Sequence, residues 1–423
     1  MRSTSAAHPR RGGTRGRPHG GAVLLAAAIL LVAARCGALA AAPPPAAAAP
    51  AAPAQRTGEA VAAAVAPGGA PLETFKIGCM VPLTGEKATT GRSIKTAIEM
   101  AIAQAAPQRL PGVEVSLTCE DTKCSDVAAL YAARALARQG VAAIVGDVCS
   151  EASLGAVGVV NKFQVPLVSP GSTSPALTVK GNFFFRTVPS DRYQGQFAAA
   201  QVLAAGAKTA VVAYTDDNYG EALAYNFVAA FSRDGGEAEP LAVAREAPEK
   251  AAARVVERIR TAKAGALFIA SSSVALGAAL IKAVRAAQPP LGVKIFVGDA
   301  LMTPALPALA GGPAAVAGVR GTDMWYAPDF KKDFESYAKS RAIDAPFSPK
   351  AAAAYDATVA LLDAARRAPP PARGAGLLQE LYAVKFSGKS GKVAFDESGD
   401  LKYDASTAYS VAEFAPGGGL RRA

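Results

Sequence analysis

The fold class of this chain is decided by the stretch Cys124–Thr173, CSDVAALYAARALARQGVAAIVGDVCSEASLGAVGVVNKFQVPLVSPGST. It contains two helical runs and two short apolar strands, and each strand ends in a loop rich in hydroxyl groups and backbone donors. These loops are Cys149–Ser153 and Ser169–Thr173. Hydroxyls and N–H groups at a helix start suit a small anion. Neither loop carries a nucleophile beside a base, so the stretch indicates binding rather than catalysis.

Strands and helices alternate outward from this stretch. They start at Phe75 and continue, in a second series, from Gln194 to Val297. Such βα alternation predicts parallel sheets with helices on both faces, and the second series predicts a second doubly wound lobe of the same α/β class. Ligands of these sheets bind beyond the carboxyl ends of the strands, where the two hydroxyl-rich loops are predicted to lie.

The N-terminal region is typical of an exported protein. Residues 1–20 carry five arginines and no acid, and a purely apolar run follows from Ala22 to Ala34. A basic segment, an apolar segment and small residues near Ala40 predict a signal peptide over 1–40 and a periplasmic or secreted location. Arg35 before Cys36 disfavours lipid attachment at that cysteine. Residues 41–73, mostly Ala, Pro and Gly, are predicted to form a disordered linker.

Composition excludes several classes of function. Both histidines, His8 and His19, lie in the predicted signal peptide, so the mature chain has no histidine for a catalytic triad or a metal site. Loss of six arginines with the leader lowers the formal charge from +11 to +5, and the remaining cations form no stripe with aromatic residues. We therefore expect no nucleic-acid partner, no metal and no cofactor.

Four cysteines remain after the leader, namely Cys79, Cys119, Cys124 and Cys149. An even number of cysteines in an exported chain favours disulfides over metal binding. Cys79 and Cys119 fall on neighbouring predicted strands. They are equally compatible with a bridge and with two buried free thiols.

Five segments, in order along the chain, resemble the periplasmic leucine/isoleucine/valine-binding proteins of ABC importers. The resemblance extends from about Phe75 to Phe414. It rests on the segments Lys76–Gly85, Cys124–Ser150 with its cysteine spacing, Ser169–Pro175, Asp216–Glu221 and Phe395–Lys402.

This resemblance implies a type I clamshell, in which two lobes are joined by three crossover segments. Lobe one would comprise 74–192 and 327–394, and lobe two 193–326 and 395–415, with a flexible tail at 416–423. It also implies a disulfide between Cys124 and Cys149.

Ligand contacts are implied residue by residue. Ser150 and Thr173 match positions that hold the ligand carboxylate, and Gly171 matches a carbonyl that accepts from the ligand ammonium. The alternatives are an N-cap role for Ser150 and a hydroxyl-rich Pro-Gly turn for the other two. Tyr219 matches a tyrosine that reaches across the cleft, or else packs at an edge. Asp299 matches the acid that pairs with the ligand ammonium, or else caps a turn.

The chain departs from the family pattern at two positions of the side-chain pocket. Thr90 and Ser272 stand where branched-chain binders carry aromatic residues. The pocket wall is therefore predicted to be small and polar. We hypothesise a polar or larger amino acid, or a related small compound, as the ligand.

The sequence thus predicts a non-enzymatic, monomeric receptor that captures an amino acid by lobe closure and delivers it to an ABC permease. A ligand-sensing ectodomain that signals without transport is the alternative, with a membrane sensor as its partner. A hydrolase that works with carboxylates alone is the third reading.

Overall fold

The computed structural model describes residues 73–179, 182–245, 247–406 and 408–422. The predicted signal peptide, Cys36 and all but the last residue of the predicted linker lie outside these residues. Within them, no helix has both the length and the apolar character that crossing a bilayer requires.

The first sheet is wholly parallel, with the strand order β2-β1-β3-β4-β5. Four of its strands are mostly apolar and buried, as a parallel sheet covered by helices requires, whereas the edge strand β2 is half polar and only partly buried. Their bounds are β1 (Thr74–Val81), β2 (Glu114–Asp121), β3 (Ala143–Gly146), β4 (Leu167–Ser169) and β5 (Phe184–Arg186).

Helices cover both faces of this sheet, and together they form lobe one. One face packs on α1 (Ala88–Arg109) and on three helices from much later in the chain, α10 (Phe330–Ser340), α11 (Lys350–Arg367) and α12 (Gly374–Tyr382). The other face packs on α2 (Asp126–Arg138) and α3 (Ser150–Phe163). Alternate residues of β1 supply the two cores, since Ile77 and Cys79 point to one face and Met80 to the other.

The second sheet has seven strands in the order β14-β13-β10-β9-β8-β6-β7. Five are parallel, and β13 and β14 add an antiparallel edge. Their bounds are β6 (Thr209–Thr215), β7 (Glu237–Val243), β8 (Ala266–Ala270), β9 (Lys294–Val297), β10 (Arg320–Met324), β13 (Tyr409–Phe414) and β14 (Leu420–Arg422).

Helices also cover both faces of the second sheet, which completes lobe two. One face buries α4 (Asp191–Ala204) and α5 (Asn218–Arg233). The other buries α6 (Pro248–Thr261), α7 (Val274–Ala286), α8 (Ala305–Leu309) and α9 (Pro313–Val316). The predicted architecture of two doubly wound lobes is confirmed.

The chain passes between the lobes three times, and the described residues of these crossovers are 187–190, 325–329 and 395–406. Arg186 at the end of β5 is fully buried and forms a bidentate ion pair with Asp400 of the third crossover, both bonds being 2.8 Å. Its remaining N–H groups donate to the carbonyls of Ser172 and Ser174 and to the hydroxyl of Thr178. All five guanidinium donors are therefore satisfied.

Gly399 makes this junction sterically possible. Its φ of +76° lies in the left-handed region, and a Cβ there would stand 2.2 Å from the carbonyl oxygen of Phe184. Only glycine lets the crossover approach β5 closely enough for the Gly399 carbonyl to accept from the N–H of Arg186, at 3.0 Å.

The C-terminal region differs from the predicted flexible tail. Strands β11 (Lys385–Gly388) and β12 (Gly391–Ala394) pair with each other, whereas β13 joins the second sheet. The flexible tail predicted at 416–423 is wrong for 420–422, because β14 pairs with β13 there. Arg422 anchors this strand through an ion pair with Asp323, at 2.9 Å.

Both disulfides lie in lobe one. Cys79 and Cys119 are register partners on β1 and β2 and are bonded, which settles the open alternative in favour of a bridge. The bridge between Cys124 and Cys149 joins the loop after β2 to the loop after β3, as predicted. Asp147 lies beside the second pair, but sulfurs joined to each other do not serve as metal ligands.

Candidate functional site

A cleft of about 960 Å³ opens between the lobes at the carboxyl ends of their strands. Residues after β1 to β4 form one side, and residues after β6, β8 and β9 form the other. Six of the seven predicted site residues line it, namely Thr90, Ser150, Gly171, Tyr219, Ser272 and Asp299. The parallel topology explains this convergence, because every βα loop of such a sheet emerges at the same edge.

Ser150 stands at the start of α3, where backbone N–H groups and the helix dipole favour an anion. It is 4% exposed, and its hydroxyl oxygen accepts from the N–H of Ser174 at 3.2 Å. The helix shows no side-chain cap, so the N-cap alternative for Ser150 does not hold. Its hydroxyl proton remains available for a ligand.

The neighbouring serines join the two loops to each other. The hydroxyls of Ser153 and Ser172 lie 2.8 Å apart, and those of Ser169 and Ser172 both donate to the carbonyl of Asp147. Gly171 lies against Val148, whose Cα would be 2.8 Å from an added Cβ. A side chain at position 171 would therefore push the loops apart.

Thr173 lies behind the cleft lining and is 1% exposed. Its hydroxyl donates to Asp191 at 2.9 Å. Burial, followed by the nearby charge of Asp299, raises the pKa of Asp191 well above its ordinary value. The Thr173 hydroxyl thus already has a partner within the protein. The ligand contact that the resemblance implies for Thr173 would then be made by its backbone.

Asp299 lies at the centre of a network that spans the cleft. One carboxylate oxygen accepts from the hydroxyl of Tyr219 at 2.9 Å and from the amide of Gln194 at 2.8 Å. The other accepts from the ammonium of Lys350, at 2.7 Å. Burial acts to raise the pKa of Asp299, but Lys350 and these hydrogen bonds outweigh it and hold the pKa below its ordinary value.

Tyr219 acts in this network as a neutral donor. It is 8% exposed, and burial together with the charge of Asp299 raises its pKa well above the ordinary value. Its helix α5 begins one residue earlier and is capped by Asp217, which accepts from the N–H groups of Tyr219 and Gly220.

Two lysines in the cleft were not predicted. Lys350 begins α11 in lobe one and reaches Asp299 in lobe two. Lys87 precedes α1 and donates to the carbonyl of Ala300 at 3.3 Å. Burial and the neighbouring charge of Lys350 lower the pKa of Lys87 to about 8. A lysine in the first turn of a helix is unfavourable because of the helix dipole. This unusual position was the feature of the sequence that could have indicated a functional role for Lys350.

The walls of the cleft are partly polar and partly aromatic. The Ser272 hydroxyl accepts from Arg245 at 3.0 Å, and Arg245 also pairs with Asp217. Tyr326 and Phe347 line another part of the cleft, with their rings in an edge-on contact and their centroids 4.9 Å apart. The aromatic side chains of this part of the cleft are therefore these unpredicted rings, rather than residues at positions 90 and 272.

Two acids of lobe one contact helix starts of lobe two. Glu151 accepts from the backbone and side-chain N–H groups of Asn218 at the start of α5, at 2.9 and 2.8 Å. Glu86 accepts from the N–H groups of Val274 and Ala275 at the start of α7. A carboxylate at a helix N-terminus is stabilising, so both contacts hold the lobes together.

Comparison with known proteins places this geometry among solute binders. Residues 93–407 match the family described as receptor family ligand binding region. The amino acid binding protein of Pseudomonas aeruginosa is 28% identical over 80% of this chain and 90% of its own length. The Leu/Ile/Val-binding protein homolog 1 of Brucella abortus is 27% identical over 85% of this chain and 96% of its own.

A solved structure has a similar fold. The leucine-binding protein LivK of Thermotoga maritima is 27% identical and superposes with a TM-score of 0.71. The match covers 82% of this chain and 97% of that protein.

Proposed function

This chain belongs to the receptor ligand-binding-region family, and from that premise we propose that it captures a small carboxylate by lobe closure and delivers it to an ABC importer. Its fold is the type I periplasmic-binding-protein clamshell. The family and its relatives are substrate-binding proteins rather than enzymes. Relatives named for branched-chain amino acids indicate a solute of that size.

One observation carries the proposal: the start of α3, with Ser150 and its neighbouring N–H groups, lines a cleft between two lobes. A helix start of this kind is a preformed anion site. Hydrogen bonds to a charged carboxylate are stronger than neutral ones, which favours a ligand with such a head group.

The inter-lobe contacts support capture by closure. Glu86, Glu151 and Lys350 of lobe one all bind groups of lobe two across the cleft. A solute held by both lobes would add to these contacts and shift the population toward the closed form. The closed form would present a composite surface to a permease, and the predicted export of the chain is consistent with this partner.

Titration calorimetry with small carboxylates tests the proposal. We expect saturable binding, and Ser150→Ala should weaken it by roughly tenfold, as the loss of one charge-assisted hydrogen bond implies. Ser125→Ala is the matched control, because that serine caps α2 through a hydrogen bond to Ala128 and lines no part of the cleft.

Small-angle scattering adds an independent readout. The radius of gyration should fall when a ligand saturates the protein. Equal affinity loss in the Ser150 and Ser125 variants, or binding without compaction, would count against capture between the lobes.

A further inference from the structure

We propose that the ligand is a carboxylate without an ammonium group, because Lys350 already holds the acid that an α-amino acid would need. This inference rests on the proposed function and narrows its substrate class. It revises the sequence-based expectation that Asp299 pairs with the ammonium of a bound amino acid.

The geometry around Asp299 leaves little room for a second cation. One oxygen accepts two hydrogen bonds, from Tyr219 and Gln194, and the other accepts from Lys350. The side chains of Lys350 and Asp299 are 13% and 4% exposed. A ligand ammonium that displaced Lys350 would leave a second ammonium unpaired in the same enclosed space, where desolvation makes an unpaired charge unfavourable.

Four other acids of the cleft lining are also engaged, and the remaining two, Glu335 and Asp344, are exposed to solvent. Glu86 and Glu151 accept from the starts of α7 and α5. Asp217 caps α5 and pairs with Arg245, and Asp323 pairs with Arg422. Each of these four carboxylates therefore already serves a helix start or a cation of the protein.

The cations of the cleft, by contrast, favour an anion. Lys87 forms no ion pair within the described part of the chain and donates only to a carbonyl, that of Ala300. Lys350, although paired, faces the same space. Together with the start of α3, these groups can neutralise a carboxylate, and the ligand then needs no positive charge of its own.

Matched pairs of probes test this distinction directly. Each pair shares a carbon skeleton, and the ammonium group of the amino acid is replaced by a ketone oxygen in four pairs and by hydrogen in the fifth. The pairs are pyruvate and L-alanine, ketoleucine and L-leucine, phenylpyruvate and L-phenylalanine, α-ketoglutarate and L-glutamate, and phenylacetate and L-phenylglycine. Calorimetry on the purified full chain should give at least roughly tenfold tighter binding for the ammonium-free member of whichever pair binds best.

The Lys350→Met variant tests whether Lys350 causes this preference for a ligand without an ammonium group. Removing the ammonium exposes Asp299 to the ligand, so the preference for the ammonium-free member should fall by roughly tenfold or reverse. Lys350→Arg keeps the charge and should keep the preference. Lys331→Met is the matched control, since Lys331 lines the same cleft but is 53% exposed and pairs only with Glu335. Circular dichroism and melting temperature establish that each variant is folded.

The outcomes separate the two proposals. If the amino acid of the best pair binds as tightly as its ammonium-free partner, this inference is wrong and the proposed function stands. A preference that persists unchanged in a folded Lys350→Met variant also overturns it. If no probe of either kind binds, the proposed capture of a small carboxylate fails, and the inference fails with it.

Discussion

Asp147 is a fully buried acid that organises the anion-binding side of the cleft without lining it. Its carboxylate accepts from the hydroxyl of Thr122 and from the N–H of Cys149, and its carbonyl accepts from Ser169 and Ser172. Burial raises its pKa to about 7, although these hydrogen bonds act in the opposite direction. The side chain therefore titrates near neutral pH.

Asp147→Asn should remove a pH dependence of stability. Because the folded-state pKa is raised from 3.8 to about 7, the contribution of Asp147 is complete below pH 3.8 and is lost as the pH rises through 7. Between about pH 5 and pH 8, the free energy of unfolding of the variant should gain about 2–3 kcal/mol relative to wild type. An asparagine amide can donate to Thr122 and accept from Cys149, as a protonated aspartate would.

Urea denaturation across this pH range measures the effect. Asp234→Asn is the control, since Asp234 is exposed and pairs only with its neighbour Arg233. A constant difference between Asp147→Asn and wild type at every pH would show that Asp147 does not titrate in this range.

Among the site residues, the sequence predicts positions that depend on local structure, but not contacts between distant parts of the chain. The placements of Ser150, Tyr219 and Asp299 at strand ends could be predicted, because a strand followed by a helix fixes where the joining loop emerges. The pairing of Lys350 with Asp299 could not be, since it depends on the relative position of two lobes. Nothing in the local pattern around position 350 specifies that distance.

At the level of elements, α5 and α7 begin at the cleft, and each receives an acid of the opposite lobe in addition to its own N-cap, Asp217 or Ser273. Glu151 is in the first turn of α3, and Glu86 lies just before α1, so both acids sit at the start of one helix and contact the start of another. Opening the lobes would return these helix starts to water. The energy of these two inter-lobe contacts, unlike that of the N-caps, therefore belongs to the closed form alone.

Glu151→Ala should destabilise the closed form and weaken ligand binding by roughly tenfold, about 1.4 kcal/mol. Glu151→Gln should lower the affinity only about two- to threefold, because the amide oxygen still accepts the hydrogen bonds. Calorimetry with the ligand of wild type, and scattering of the free protein, measure affinity and closure. Glu257→Gln on α6 is the control, as Glu257 is exposed and remote from the cleft lining. Similar affinities for all three variants would exclude a role for Glu151 in closure.

The elements themselves were mostly predictable where apolar periodicity was strong. The strands β1 to β4 and the long helices agree with the sequence pattern. Strand β14 was not predicted, because Leu420–Arg422 has one apolar residue and is exposed throughout. Its formation depends on β13 and on the Arg422–Asp323 ion pair, which are tertiary features.

At the scale of the whole molecule, the buried pair of Arg186 and Asp400 joins the first crossover to the third. Arg186 ends β5 immediately before the first crossover, and it also holds the carbonyls of Ser172 and Ser174 beside the anion site. The same side chain thus supports the hinge and the ligand loop. The segment Phe395–Lys402, noted in the sequence only as a family motif, provides its partner.

Asp400→Asn should destabilise the protein by about 3 kcal/mol, since it leaves the guanidinium of Arg186 buried without its counter-ion. Thermal and urea denaturation measure this loss. Glu413→Gln is the matched control, because its pair with Arg320 is partly exposed and should contribute less than about 1 kcal/mol. Equal and small losses in both variants would show that the buried pair does not stabilise the junction of the crossovers.

The positions of the disulfides bear on how the protein is made. All four bonded cysteines precede residue 150, whereas α11, which completes the core of lobe one, begins only at Lys350. A chain synthesised from its N-terminus can therefore close both bridges some two hundred residues before that helix exists. During this interval, covalent bonds hold the first three strands and their loops in place of the missing packing. The start of α3, which carries Ser150, can thus be tethered to the loop after β2 before the later helices are made.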